Sequence, residues 1–201
     1  MSYVTLATFK EILQIPSADT TDDSRLQAVL DATDQLINNY CERPAGFIAS
    51  TQTRYYTAQR GDYCLIDDLV SITTLQTDND ADGVYEDTWS ASDYILAPRN
   101  AAANGQPYNE IDAVNGFPKV FPVEYLGVKI VGSFGYKAST APAAVQQAAA
   151  IQAGAVWFSL TAPSGAIGGA DLGGIIRLAR ALHPEAQVLL EPYRNRLGLA
   201  S

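Results

Sequence analysis

The chain has 201 residues, 47% hydrophobic and 17% charged, which suits one domain with a real core and argues against a disordered chain. Lys and Arg number 13 against 22 Asp and Glu, for a net charge of −9. That balance excludes a basic DNA-gripping surface as the main business and disfavours an anionic membrane.

Thr5 is placed to cap a first short helix, with Leu6, Phe9, Ile12 and Leu13 at helical spacing and Pro16 as its stop. A longer helix is expected from about Asp22, where Asp22 and Asp23 complement the positive end of the helix dipole. Its stripe is Leu26, Val29, Leu30, Thr33, Leu36, Ile37 and Tyr40, with Pro44 and Gly46 ending it. The period then changes. Residues 51–57, 63–66, 70–77, 84–89, 94–96 and 128–134 are short, rich in β-branched and aromatic residues, and separated by Gly, Asp, Asn or Pro. The stretch 97–122 holds Pro98, Pro107, Pro118 and Pro122 and reads as a long loop with one short strand near Ile111. Helical period returns at Pro142, with Ala144, Ala148, Ile151, Ala155 and Phe158 as the expected core face and Val145, Ala149 and Val156 alongside it. Residues 163–174 are glycine-rich and read as a hinge. His183-Pro184-Glu185 opens a last short helix running to about Arg194, and the tail after it is apolar. The chain has no internal repeat.

Catalytic patterns are scarce. His183 is the one histidine, beside a proline at a helix start, so Ser-His-Asp hydrolysis would have to use it. The glycine-rich segment lacks the Gly-Lys-Ser/Thr ending of a phosphate loop, and GxGxxG is absent. Cys41 and Cys64 lack CxxC spacing and read as free thiols made in a reducing cytoplasm. The most apolar run, 141–160, carries Pro142, Gln146, Gln147 and Gln152 and does not read as a membrane span. The start shows neither a basic region nor an apolar run, so no signal peptide is expected. No cofactor site emerges.

Charge is uneven along the chain. Asp62, Asp67, Asp68, Asp78, Asp80, Asp82, Glu86, Asp87 and Asp93 fall in one stretch without Lys or Arg. From Ile175 to Ser201 four Arg face two Glu. A solvated acidic face with a mildly basic tail is one reading. A polar molecule that repels DNA on one side and meets an acidic partner with its tail is the other. Within the acidic stretch, Asp78-Asn79-Asp80-Ala81-Asp82-Gly83 matches the opening of an EF-hand calcium loop. Trp89 stands where the bidentate Glu belongs, and the flanks read as strands. The alternative is a β-hairpin loop whose Asp side chains cap their own turn, with Gly83 at positive φ.

The order of these pieces is informative. A long helix ends in Tyr40-Cys41-Glu42-Arg43-Pro44, a strand carries Arg54-Tyr55-Tyr56, and the aspartate-rich hairpin follows with Trp89. Asp93-Tyr94-Ile95-Leu96-Ala97-Pro98 opens the loop. Val128-Lys129-Ile130-Val131-Gly132 runs into Phe134-Gly135-Tyr136 and an Ala-rich helix, and Leu189-Leu190-Glu191-Pro192-Tyr193-Arg194 closes the chain. Over roughly residues 3–160 this resembles the head-to-tail connector (adaptor) proteins of long-tailed bacteriophages and related prophage elements. The resemblance implies an α+β fold, a helical bundle with a small antiparallel β-sheet inserted between the second and third main helices. It implies a non-enzymatic virion protein of the neck, synthesised in the host cytoplasm. Its partners would be a homo-oligomeric ring of about twelve copies, the portal protein and a downstream neck or tail protein. DNA would pass through the bore without sequence-specific binding. The runner-up is a calcium-binding interaction module using the Asp78–Asp82 loop.

Three segments are expected on this basis: an adaptor core over 1–162, a hinge over 163–174 and a docking helix and tail over 175–201. The bore is expected to be neutral or acidic, with its acids drawn from the stretch 62–93. The resemblance also implies a C-terminal segment that reaches the portal. Leu189, Leu190, Leu197 and Leu199 would anchor it, and Arg177, Arg180, Arg194 and Arg196 would supply charge. The competing expectation is that Val188, Leu189 and Leu190 pack back on the protein's own helices.

Overall fold

Thr5 sits in extended conformation, and its hydroxyl accepts the Thr8 N–H at 3.2 Å, which caps helix α1 (Leu6–Ile12). The helix ends before Pro16 can act, because Gln14 turns left-handed at φ 58. Helix α2 (Asp23–Cys41) starts one residue after Asp22, whose backbone carbonyl receives the Arg25 and Leu26 N–H groups. It ends at Glu42, left-handed at φ 54, with its N–H turned back to the Asn38 and Asn39 carbonyls. Lys10 is buried between the two helices. Its ammonium donates to the Ser17 and Asp19 carbonyls and to Asp23 Oδ1, so all three of its donors are used. The computed structural model describes residues 2–114, 119–161 and 182–195.

These helices belong to one of two compact units, Met1–Glu42 with Pro142–Arg194. α2 buries Leu26, Val29, Leu30, Thr33 and Ile37 as its stripe predicts, while Leu36 stays exposed. α2 packs on helix α3 (Ala143–Thr161), as does helix α4 (Pro184–Leu190), which continues into a 3-10 turn at Glu191–Tyr193. The face of α3 matches expectation in part, at Val145, Ala148 and Ala149. It buries Val145, Ala148, Ala149, Gln152, Ala153 and Trp157, whereas Phe158 is exposed and Ala144, Ile151 and Ala155 are only half-buried. α3 carries no charge on any side, so hydrophobic periodicity had almost nothing to register against. Trp157 and Gln152 decided the face instead. Among the described residues no helix is long and apolar enough to cross a membrane.

The second unit is Arg43–Ala141. Its strands are β1 (Ser50–Tyr56), β2 (Tyr63–Thr77), β3 (Asp87–Trp89), β4 (Tyr94–Ala97), β5 (Tyr108–Ala113) and β6 (Val128–Phe134). All pairings are antiparallel, in the order β1-β6-β2-β5-β4, with β3 beside β2. The two strands expected at 63–66 and 70–77 are one. Residues 63–69 of β2 pair with β5, residues 69–77 pair with β6, and register breaks near Leu69 and Ser71 let the long strand bend.

Along β6, Val128, Ile130, Gly132 and Phe134 turn inward and alternate with half-buried residues. With Ile66, Leu69, Leu75, Ile111 and Phe121 they form the core of the unit, where each large side chain contributes about 1.5–3 kcal/mol. Trp89 stacks on Phe121 with ring centroids 4.4 Å apart, and its indole N–H donates to Thr77 Oγ1. Gly135 follows β6 at φ 142, where a Cβ would lie 2.5 Å from Ala49 Cα. Only glycine fits that crossing. The result is an α+β fold with an antiparallel sheet inserted between the second and third main helices, as the sequence led us to expect.

Candidate interaction surfaces

Five of the nine acids in the stretch are paired with four cations from outside it. Asp67 and Asp68 are neighbours on β2 and so face opposite sides of the strand. Asp67 pairs with Arg54 and accepts the Tyr56 hydroxyl at 3.1 Å, while Asp68 pairs with Arg43. Both pairs are mostly buried. Burial raises the Asp68 carboxyl, and the Arg43 guanidinium opposes that rise. Burial, then Asp67, pushes the Tyr56 phenol far up. Arg43 also lies over the Tyr136 ring at 4.8 Å. Asp62 pairs with Arg60, and Asp87 with Lys119 at 2.7 Å. Lys119 also stands 3.9 Å from Asp93, whose Oδ2 accepts the Ser90 N–H. Asp80, Asp82 and Glu86 remain exposed with no cation in ion-pair range among the described residues.

Those three acids join Asp78 at the tip between β2 and β3, with their ligand oxygens within 4.8 Å of one another. Asp78 is buried and already engaged: Oδ1 accepts the Ala81 N–H and Oδ2 the Gly83 N–H, both at 2.8 Å. Burial would raise its carboxyl, yet the backbone N–H groups of Gly83, Ala81, Asp80 and Asp82 hold it low. Asp82 Oδ1 accepts the Val84 N–H, and Gly83 takes φ 87. This is the geometry of a side-chain-capped turn.

Sequence reasoning missed an aromatic cleft in the β unit. Arg54, Tyr55, Tyr56, Thr57, Leu65, Asp67, Tyr125 and Leu126 are among the residues lining about 440 Å³. The loop carrying Tyr125 is tied down by several hydrogen bonds. Leu126 N–H donates to Thr57 Oγ1, Tyr85 Oη–H to the Leu126 carbonyl, and Asp78 N–H to the Gly127 carbonyl. Tyr125 nevertheless stands 86% exposed. The signal was the run Val120-Phe121-Pro122-Val123-Glu124-Tyr125-Leu126, apolar inside a proline-rich loop. Elsewhere on the sheet, Glu110 and Asp112 lie beside Tyr63 and Ile95, and burial followed by the Asp112 contact raises the Glu110 carboxyl.

The C-terminal residues divide. Leu190 is fully buried with Ala186 and Leu182, Leu189 is half-buried, and Val188 is the exposed one at 75%. Arg194 is held on the chain's own surface. It lies over the Tyr40 ring at 5.3 Å and meets Glu42 Oε1 at 3.4 Å and Glu191 at 3.9 Å. Arg177, Arg180, Arg196, Leu197, Leu199 and the segment 163–174 lie outside the described residues. His183 serves α4: its Nδ1 accepts the Glu185 N–H at 3.4 Å, and its own N–H donates to Gln152 Oε1 at 2.7 Å. Cys41 and Cys64 are both buried, and burial pushes the Cys64 thiol up to about 12, far from a reactive thiolate.

No family model and no curated protein matches this chain. Solved structures do share its fold. A chain in the neck of an empty gene transfer agent (GTA) particle, computed with C6 symmetry, superposes with a TM-score of 0.63 at 22% identity. A chain in the virion of the native GTA particle gives 0.61 at 20% identity, and one in the neck of the native particle, computed with C12 symmetry, gives 0.58 at 22%. In each case the match covers 98% of this chain and 91% of the other.

Proposed function

We propose that this chain is a structural head-to-tail connector that forms a ring in the neck of a phage-like particle. The observation that carries the reading is the fold shared with neck chains over nearly the full length of both partners. The symmetry of those necks supports a cyclic arrangement of copies. The chemistry agrees with a structural role, since His183 is spent on a helix cap, Asp67 and Asp68 on ion pairs and Asp78 on its own turn. DNA would pass through the ring without sequence-specific contact. Arg43, Arg54, Arg60 and Lys119 are engaged by carboxylates, which leaves them poorly placed to hold phosphates. The free acids Asp80, Asp82 and Glu86 are the candidates for a like-charged wall facing the bore.

The portal lies above the ring in this reading and the next neck or tail component below it. Contact with the portal is assigned to the tail beyond Asn195, with Arg196, Leu197 and Leu199, because Leu190 and Arg194 are used within the chain itself. Electron microscopy of the concentrated protein tests the ring. Closed annuli with cyclic averages support it, and a monomer at every concentration overturns it. Truncation after Asn195 tests the tail. An unchanged melting temperature with loss of portal binding supports docking, whereas normal portal binding removes it. A cut after Gly174 would be uninformative, because it deletes the buried Leu182, Ala186 and Leu190.

A further inference from the structure

Two apolar patches stand out among the described residues, one on each unit. In the β unit, Tyr125 and Tyr55 are exposed around the cleft, and Val120 and Val123 are exposed in the same loop as Tyr125. In the helical unit, Phe158 is 65% exposed and Leu160 59%, in the last turns of a helix without a single charge. Exposed aromatic residues held on rigid supports are the usual anchors of protein interfaces. The charged residues lining the cleft are Arg54 and Asp67, and they neutralise each other. The cleft therefore asks for a neutral occupant, and the end of α3 is one.

A closed ring of more than two copies cannot be built by a patch that pairs only with itself, since that contact closes at a dimer. Each copy must offer two different faces, one meeting the other on the next copy. We infer that, within the ring proposed above, Phe158 and Leu160 of one copy dock into the cleft beside Tyr125 of the next. The inference rests on the ring reading and adds its interface. The cleft's volume of about 440 Å³ leaves room for an aromatic side chain with its neighbours. The loop that carries Tyr125 is held by the Leu126 hydrogen bonds to Thr57 and Tyr85, which lowers the ordering cost on that side of the contact.

Charge substitution in trans tests the pairing. Tyr125→Glu and Phe158→Arg are each made alone and then combined in one chain. Self-association is followed by sedimentation and electron microscopy, and folding by thermal melting. Each single change should weaken self-association by about tenfold or more without moving the melting temperature, which is measured throughout at a dilution where the wild-type chain is monomeric. The combined chain should form rings again, because every interface would then join opposite charges. Rings that persist in either single variant overturn the inference and leave the ring reading standing. Singles that dissociate and are not restored by combination overturn the pairing of these two faces. A melting temperature lowered by Phe158→Arg alone also overturns it, since Phe158 would then be covered by its own chain. A wild-type chain that is monomeric at every concentration defeats the ring reading and this inference with it.

Discussion

Gly135 and Gly154 sit in different units and answer to different constraints. At Gly135 the backbone is at φ 142, and an added Cβ would meet Ala49 at 2.5 Å. At Gly154, inside α3, an added Cβ would meet nothing within 4 Å. The β unit is specified by close crossings and by ion pairs that cannot be moved. The helical unit is held by an apolar stripe, one buried lysine and a helix whose outer face is slack. Substitutions should therefore damage the first unit and be absorbed, or even welcomed, by the second.

The largest effect is expected at Asp68. Asp68→Ala removes the carboxylate of a buried ion pair with Arg43, at a loss of about 3–5 kcal/mol. Chemical denaturation gives the number directly. Replacing both partners, Asp68→Leu with Arg43→Met, should recover most of it, because the charge imbalance left by the single change is then removed. A double variant as unstable as the single one would show that the pair itself, rather than the charge imbalance, holds β2. Next comes Gly135→Ala, expected to lose about 2–4 kcal/mol through positive φ and overlap together. A melting curve unchanged by this substitution would remove the contrast between the units at its root.

Asp34 supplies a pH-dependent test in the helical unit. It lies on α2, where its Oδ2 accepts the Tyr3 N–H at 3.2 Å. Burial raises its carboxyl to about 6, against the Ser2 and Tyr3 hydrogen bonds that lower it, and Asp31 adds to the rise. A raised carboxyl binds its proton more tightly in the folded state than in the unfolded one. Its ionisation therefore costs stability as pH climbs from about 4 through about 6, and the penalty is complete above that. Asp34→Asn should stabilise the protein at pH 8 by about 1 kcal/mol, after allowing for partial solvent screening. The gain should vanish near pH 4. An equal gain at both pH values would assign the effect to hydrogen bonding rather than to charge.

The sequence was most readable where a period had something to contrast with. The stripe of α2 alternates with Asp23, Gln27, Asp31, Asp34 and Asn38, and its buried face was legible apart from Leu36, which is exposed, Tyr40 and Asp34, which are half-buried, and Cys41, which is buried outside the stripe. β6 was legible to the residue, because Val128, Ile130 and Phe134 alternate with Lys129, Val131 and Ser133. α3 was legible as a helix but only in part as a face, at Val145, Ala148 and Ala149, since none of its sides is charged. The acidic stretch misled in another way. It holds no cation of its own, and the cations that neutralise it are brought in by strand pairing from Arg43, Arg54, Arg60 and Lys119. Local charge counts carry no record of such pairings. The Tyr125 cleft was half-visible as an apolar run in a proline-rich loop, but its exposure needed the hydrogen bonds from Thr57 and Tyr85 to fix it.

The smallest expected effect is also the one of opposite sign. Gly154→Ala adds a methyl group to the interior of α3 with open space around it. Glycine loses more backbone freedom on forming a helix than alanine does, so the substitution should stabilise the isolated protein by about 0.5–1 kcal/mol. A rise in melting temperature checks that. Its second reading is at the interface. Gly154 lies one turn before Phe158, on the same side of the helix, and the interface proposed for the ring sits at that end of α3. If copies pack closely there, the added methyl group should weaken ring formation while it strengthens the fold. If both improve together, the contact begins beyond Gly154, and Phe158 and Leu160 carry it alone.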